Sequence, residues 1–180
     1  MNKNRIIGIS ILVLTMGILL IVANLYIDHN LRKYSVYYAH NMEHKEGTHP
    51  EMAMALENIK VMRTPASRGI RYDYDGLAKV YNEKNNGNIH SICATYVYGV
   101  EYLYSNSKDR SYIFNSDFSL KAIYDSNTAK MEYEKSDIDE EELYKEIYNN
   151  FGFLVEANVN RKPLINMQKE FNKKYYKRFN

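Results

Sequence analysis

Residues 40–54 read HNMEHKEGTHPEMAM, with three histidines and three methionines in one short stretch. His40 and His44 are four apart, so on a helix they are neighbours. An imidazole pair of that kind could hold zinc or copper if a third ligand, His49 or Glu43, closed the site. The methionine thioethers are soft donors of the type Cu(I) accepts. Helical geometry separates the two sets. Stepping about 100° per residue from Leu31 keeps Tyr34, Tyr38 and Met42 within about 60° of it and carries His40 and His44 to the opposite face. HNMEH also lacks the glutamate that directly follows the first histidine of a zinc-protease helix. The expectation is a solvated helix face and no cofactor. Zinc or copper on His40, His44 and His49 is the alternative.

Other residues invite chemistry and are outweighed by simpler roles. Cys93 and His90 resemble a nucleophile and its base, but three apart on a strand they face opposite ways. RYDYDG resembles part of a calcium loop. With Gly76 at position 6, Arg71 and Asn82 stand where acids are required, so a turn is expected. Glu140, Glu141 and Glu142 point in three directions on a helix, and Glu141 with Lys145 forms an i, i+4 pair. No glycine-rich phosphate loop, CxxC pair or ordered Ser-His-Asp set occurs, so no catalytic residue is assigned. The tyrosines stand out. Tyr is present 18 times and Trp not at all. Tyr96, Tyr98, Tyr102 and Tyr104 alternate along one stretch, and any exposed part of that face would suit a partner or ligand.

The elements that must position these residues begin with a membrane segment. Residues 6–27 carry no charge and as a helix span roughly 33 Å, enough for a bilayer core. Tyr26 is placed as an interfacial aromatic. A cleaved export signal is the alternative, but its apolar run would be shorter, and a cut after Ala23 puts Ile21 where a small residue is required. Lys3 and Arg5 before the segment balance Arg32 and Lys33 after it. A short basic start leading into an apolar run favours the N-terminus inside and the domain outside the cytoplasm. The domain divisions expected are 1–5 cytoplasmic, 6–27 the signal-anchor, 28–64 a helical stalk with a second helix, and 65–180 the α+β core.

A helix through Leu31, Tyr34, Tyr38 and Met42 should stop at Gly47. Thr48 and Glu51 then form a capping box around Pro50, opening a helix whose stripe is Met52, Leu56, Ile59 and Met62 and which Thr64-Pro65 closes. From residue 70 the period becomes two. IRYDY and LAKVY flank a turn at Asp75-Gly76, and NEKNNGN is a loop. Residues 89–105 read as one long strand bent at Gly99, with Ile92, Ala94, Tyr96, Tyr98, Val100, Tyr102 and Tyr104 on one face. SYIF, LKAIY and AKMEY continue an antiparallel meander with one wet face. Ser136 opens a helix with stripe Leu143, Ile147 and Phe151. FLVEANV reads as a strand. A last helix carries Leu164, Met167, Phe171 and Tyr175, with the basic end KKYYKR suited to the helix dipole or to anionic lipid.

The fold expected is α+β: a transmembrane helix, two helices, an antiparallel sheet of about five strands, and closing helices. Net charge is +2, too balanced for a nucleic-acid partner. The function expected is a single-pass, membrane-anchored, non-enzymatic domain of the bacterial envelope that binds a protein partner or senses a ligand. An envelope hydrolase and a His-dependent metal-binding protein are the alternatives.

Overall fold

A computed structural model describes residues 3–75, 78–85, 88–96, 99–106, 110–125, 130–132 and 138–180. The chain opens with α1 (Lys3–Lys33). Its stretch Ser10–Lys33 is long and apolar enough to cross a membrane. The large apolar side chains from Ile11 to Leu25 are 52–66% exposed. The polar residues among them return their donors to the helix. Thr15 Oγ1 donates to Ile11 O at 2.8 Å and Asn24 Nδ2 to Leu20 O at 3.0 Å, as an apolar medium demands. The surroundings then change. Asn30 and Leu31 are buried, so the last turn of the same helix belongs to the folded domain. A break at Tyr34 redirects the chain into α2 (Ser35–His40).

Next comes α3 (Pro50–Glu57). Pro50, Met52, Ala53, Met54, Ala55 and Leu56 are all buried and only Glu51 and Glu57 are half-exposed, so most of this helix lies inside the domain. Met54, expected off the stripe, is core. Ile59 and Met62 are also buried, but beyond the helix end, because the chain turns at Asn58 well before Thr64-Pro65.

Seven strands follow in simple meander order, each antiparallel to the next: β1 (Ile70–Asp73), β2 (Lys79–Asn85), β3 (Asn88–Thr95), β4 (Glu101–Ser105), β5 (Arg110–Phe114), β6 (Leu120–Asp125) and β7 (Lys130–Glu132). The chain closes with α4 (Glu140–Phe151), α5 (Phe153–Val159) and α6 (Gln168–Phe179). The α+β class is as expected, with seven strands among the described residues against about five. Register pairs Val80 with Ile92, Ile92 with Tyr104, Tyr104 with Tyr112, and Ala94 with Tyr102. Directly opposed residues share a face, so these side chains form the inner surface on which the helices pack. The outer surface carries Arg71, Lys79, Tyr81 and Glu83. There Arg71 lies 4.0 Å from the Tyr81 ring and 3.5 Å from Glu83.

Four local readings are corrected. Residues 89–105 hold two antiparallel strands, β3 and β4, with Gly99 at φ 111° between them, and not one bent strand. The NEKNNGN segment is strand on both sides, with Asn85 opposite Asn88 and a register shift after Asn82. FLVEANV is helix α5, not a strand. Gly152 joins it directly to α4, where a Cβ would meet Tyr148 O at 2.4 Å. Leu154 and Asn158, one helical turn apart, are its buried residues. Asn158 exchanges hydrogen bonds with the backbone of Arg63 at 2.9 and 3.1 Å, so a tertiary contact overrides the β propensity of the segment. Finally, Thr48 does not cap α3. The capping position is His49, without a side-chain bond, and Thr48 Oγ1 donates to Lys45 O at 2.7 Å. The helix of residues 140–151 starts at Asp139, whose carboxylate accepts from Glu142 N at 3.1 Å. Ser136 lies outside the described residues, and Leu164 lies outside the last helix.

Candidate functional site

Residues of β3, β5 and α4 line a cleft of about 1200 Å³. Two of them, His90 and Glu146, meet a third side chain, Tyr104, which is fully buried beside the cleft. Tyr104 on β4 donates its phenol proton to Glu146 Oε1 on α4 at 2.8 Å. His90 Nδ1 on β3 lies 2.8 Å from the same phenol oxygen and 3.5 Å from the carboxylate. A phenol has one proton, so with that proton directed at Glu146 the oxygen of Tyr104 accepts from Nδ1–H of His90. Burial, then the bond to Glu146, holds the Tyr104 phenol far above its usual range. Behind the triad, Asn82 Nδ2 donates to Asn150 O at 2.9 Å. Asp139, Glu141, Glu142 and Glu146 line the cleft with Arg110 and Lys145, so acids predominate.

The arrangement can accept hydrogen bonds, attract a cation and move a proton between imidazole and carboxylate. No serine, threonine or cysteine is among the described lining residues. Cys93 is on the outer surface of the sheet, paired with Leu103 and Lys79, and His90 is on the inner one. Burial pushes the Cys93 thiol up, away from thiolate.

The three histidines go separate ways. His40 is exposed at the end of α2 and reaches Glu51 Oε1 at 3.2 Å. His44 lies past the helix end, with Nδ1 3.2 Å from both Lys45 O and Thr48 Oγ1. His49 is half-buried, its ring 4.0 Å from that of Tyr144 and its Nδ1 3.4 Å from the Tyr148 hydroxyl. Burial lowers its pKa. Among the described residues no group of three or more His, Cys, Asp and Glu side chains gathers as a metal site.

The tyrosines divide as well. Tyr102 and Tyr104 are fully buried and Tyr96 is 55% exposed. Tyr98 lies outside the described residues. Tyr102 donates to Glu57 Oε1 at 2.5 Å, and Arg178 on α6 binds both Glu57 and Tyr102 through Nη2 while its Nε donates to Ser116 O at 2.5 Å. This buried cluster ties the C-terminal helix to α3 and the sheet. Tyr96 lies beside a small second hollow of about 170 Å³ with Arg32, Glu57 and Lys60.

Sequence reasoning singled out Tyr104 but missed Glu146 as its partner and treated His90 only as a companion to Cys93. Inward alternation from Ile92 does place His90 and Tyr104 on one face. Nothing local in the sequence brings Glu146 to them. Comparison with family models, with curated proteins and with solved structures gave no match.

Proposed function

We propose that this chain is a single-pass membrane-anchored protein whose domain lies outside the cytoplasm and binds a partner or ligand. One observation carries the reading: α1 is a single helix with two environments. Its apolar stretch from Ile11 to Leu25 is exposed on all sides, and its last turn at Asn30 and Leu31 is built into the domain. Exposed apolar surface on that scale needs lipid around it. The embedded turn supports retention of the helix as an anchor. The orientation follows the export-like start of the chain. The cleft supports binding because it offers fixed polar groups and a surplus of carboxylates.

A second reading is favoured by the His90–Tyr104–Glu146 chain: a hydrolase of the envelope that activates water by general base catalysis. Glu146→Gln distinguishes the two. Binding recognition of a cationic group weakens with loss of the carboxylate, and no turnover exists to be lost. Hydrolysis by the full chain that disappears in Glu146→Gln would replace the binding reading with the enzymatic one. The anchor is tested by alkaline carbonate extraction of membranes: the full-length chain stays with the lipid, whereas release of an N-terminally shortened chain contradicts the anchor.

A further inference from the structure

The connection between α5 and α6, residues 161–166 (RKPLIN), exposes apolar side chains. Leu164 is 95% exposed, more than any other described large apolar residue, and Ile165 is 50% exposed. This connection is pinned. Ile165 O accepts from Asn30 Nδ2 at 3.3 Å and lies 3.3 Å from the Tyr38 hydroxyl oxygen, whose proton goes to Asn30 Oδ1. Two residues further on, Met167 N donates to the Tyr38 hydroxyl oxygen at 3.1 Å, and Gln168 Nε2 donates to Tyr38 O at 2.9 Å.

The place at which it is pinned gives the exposure a meaning. Asn30 is three residues past Ile27, where the uncharged run of α1 ends, so about 4.5 Å of helix separates them. Cations gather at the same level. Lys33 and Arg161 lie 5.7 and 5.4 Å from the Tyr34 ring centre. Lys174 reaches Asp28 at 3.4 Å, and Lys162 is exposed. Tyr26, also exposed, sits just before this level on α1. Apolar side chains held beside a membrane exit and rimmed by Lys and Arg match the interfacial layer of a bilayer with anionic headgroups.

We infer that the 161–166 connection is a second membrane contact: Leu164 and Ile165 enter the interface of the bilayer that α1 spans, and Lys33, Arg161, Lys162 and Lys174 face its anionic headgroups. The inference rests on the anchor reading. Together the two contacts fix the tilt of the domain on the membrane, which a helix alone leaves free.

The chain has no tryptophan, so Leu164→Trp introduces a single indole, excited selectively over the tyrosines, at an exposed position. The full chain carrying it is reconstituted into phosphatidylcholine–phosphatidylglycerol vesicles, with lipids brominated either near the headgroup or deep in the acyl chain. Leu19→Trp in a separate chain reports on the anchor. The expected result is loss of most Leu164→Trp emission with the shallow bromine label and of Leu19→Trp emission with the deep one. Unquenched Leu164→Trp beside quenched Leu19→Trp overturns the second contact and leaves the anchor standing. If neither is quenched, the anchor reading fails and the second contact with it. Quenching of Leu164→Trp that is undiminished in pure phosphatidylcholine overturns the anionic-headgroup part.

Discussion

The Tyr38 hydroxyl donates to Asn30 Oδ1 at 2.6 Å, joining the end of the long apolar helix to the helix that follows it. The same oxygen accepts from Met167 N, so one buried phenol links α1, α2 and the segment before α6. Phe171 packs against its ring at 5.4 Å. The apolar helix is thereby joined rigidly to the domain.

Replacing Tyr38 with Phe keeps the packing and removes that oxygen. Met167 N–H and Asn30 Oδ1 are then left in a buried site without this partner, a loss of about 1–3 kcal/mol. Thermal unfolding of the full chain in detergent should begin at a lower temperature, with earlier proteolysis around residues 161–167. Unchanged melting would show that the junction contributes nothing to stability.

Arg178 forms a charged contact with Glu57 in which both side chains are largely buried. Its side chain is 16% exposed and that of Glu57 13%. Removing one partner of such a buried pair strands the other, so Arg178→Ala should cost about 3–5 kcal/mol. Arg178→Lys should recover only part of this, because one ammonium cannot serve Ser116 O, Glu57 and Tyr102 in the fork geometry of a guanidinium. Denaturant midpoints of the two variants test the order.

Several phenols are held above their ordinary pKa of 10. Burial is the first cause for Tyr102, Tyr104, Tyr144 and Tyr148, and it pushes Tyr72 up to about 12. The folded chain therefore keeps protons that the unfolded chain releases near pH 10. Stability from this source is intact below pH 10 and falls as the pH rises above it. Phenolate absorbance should rise in two stages, the exposed tyrosines first and the buried set together with unfolding. A single smooth titration of all 18 tyrosines in a still-folded chain would contradict the burial.

His49 behaves in the opposite sense. Burial lowers its pKa below 6.5, so the folded state binds its proton less readily than the unfolded one. Its contribution is present above pH 6.5 and declines as the pH drops below that value. His49→Phe retains a ring against Tyr144 and removes the titration. Its stability should change less than that of the parent just below pH 6.5, as measured by denaturant midpoints across that range.

Much of the architecture was legible because its signals are local. An uncharged run long enough to span a bilayer marks α1 by itself. Alternation placed Ile92, Ala94, Tyr102 and Tyr104 on one face, and they are on one face, although they belong to two strands. Ala94 and Tyr102 are eight positions apart, an even step, so the antiparallel pair preserves the parity that a single strand would have had. The division itself was hidden because Gly99 alone marks it within a tyrosine-rich run. Thr48 has the right spacing from Glu51 for a capping box, yet its hydroxyl is taken by Lys45 O. FLVEANV has strand composition, yet it is helix, continuous with α4 and tied through Asn158 to Arg63, 95 positions away. The cleft was not legible. His90 and Tyr104 are 14 apart and Tyr104 and Glu146 are 42 apart, and Arg178 meets Glu57 across 121 positions. No spacing rule reaches that far.

The central claim is an anchored chain with its domain outside the cytoplasm, and impermeant thiol labelling tests it most directly. Cys93 is the only native cysteine and is buried, so a Cys93→Ser background carries Ser67→Cys, a near-isosteric change at an exposed position. With that topology, a membrane-impermeant maleimide labels this cysteine on intact spheroplasts of a bacterial host, on a full-length chain that sediments with the membranes. Labelling only after the membrane is breached would contradict it.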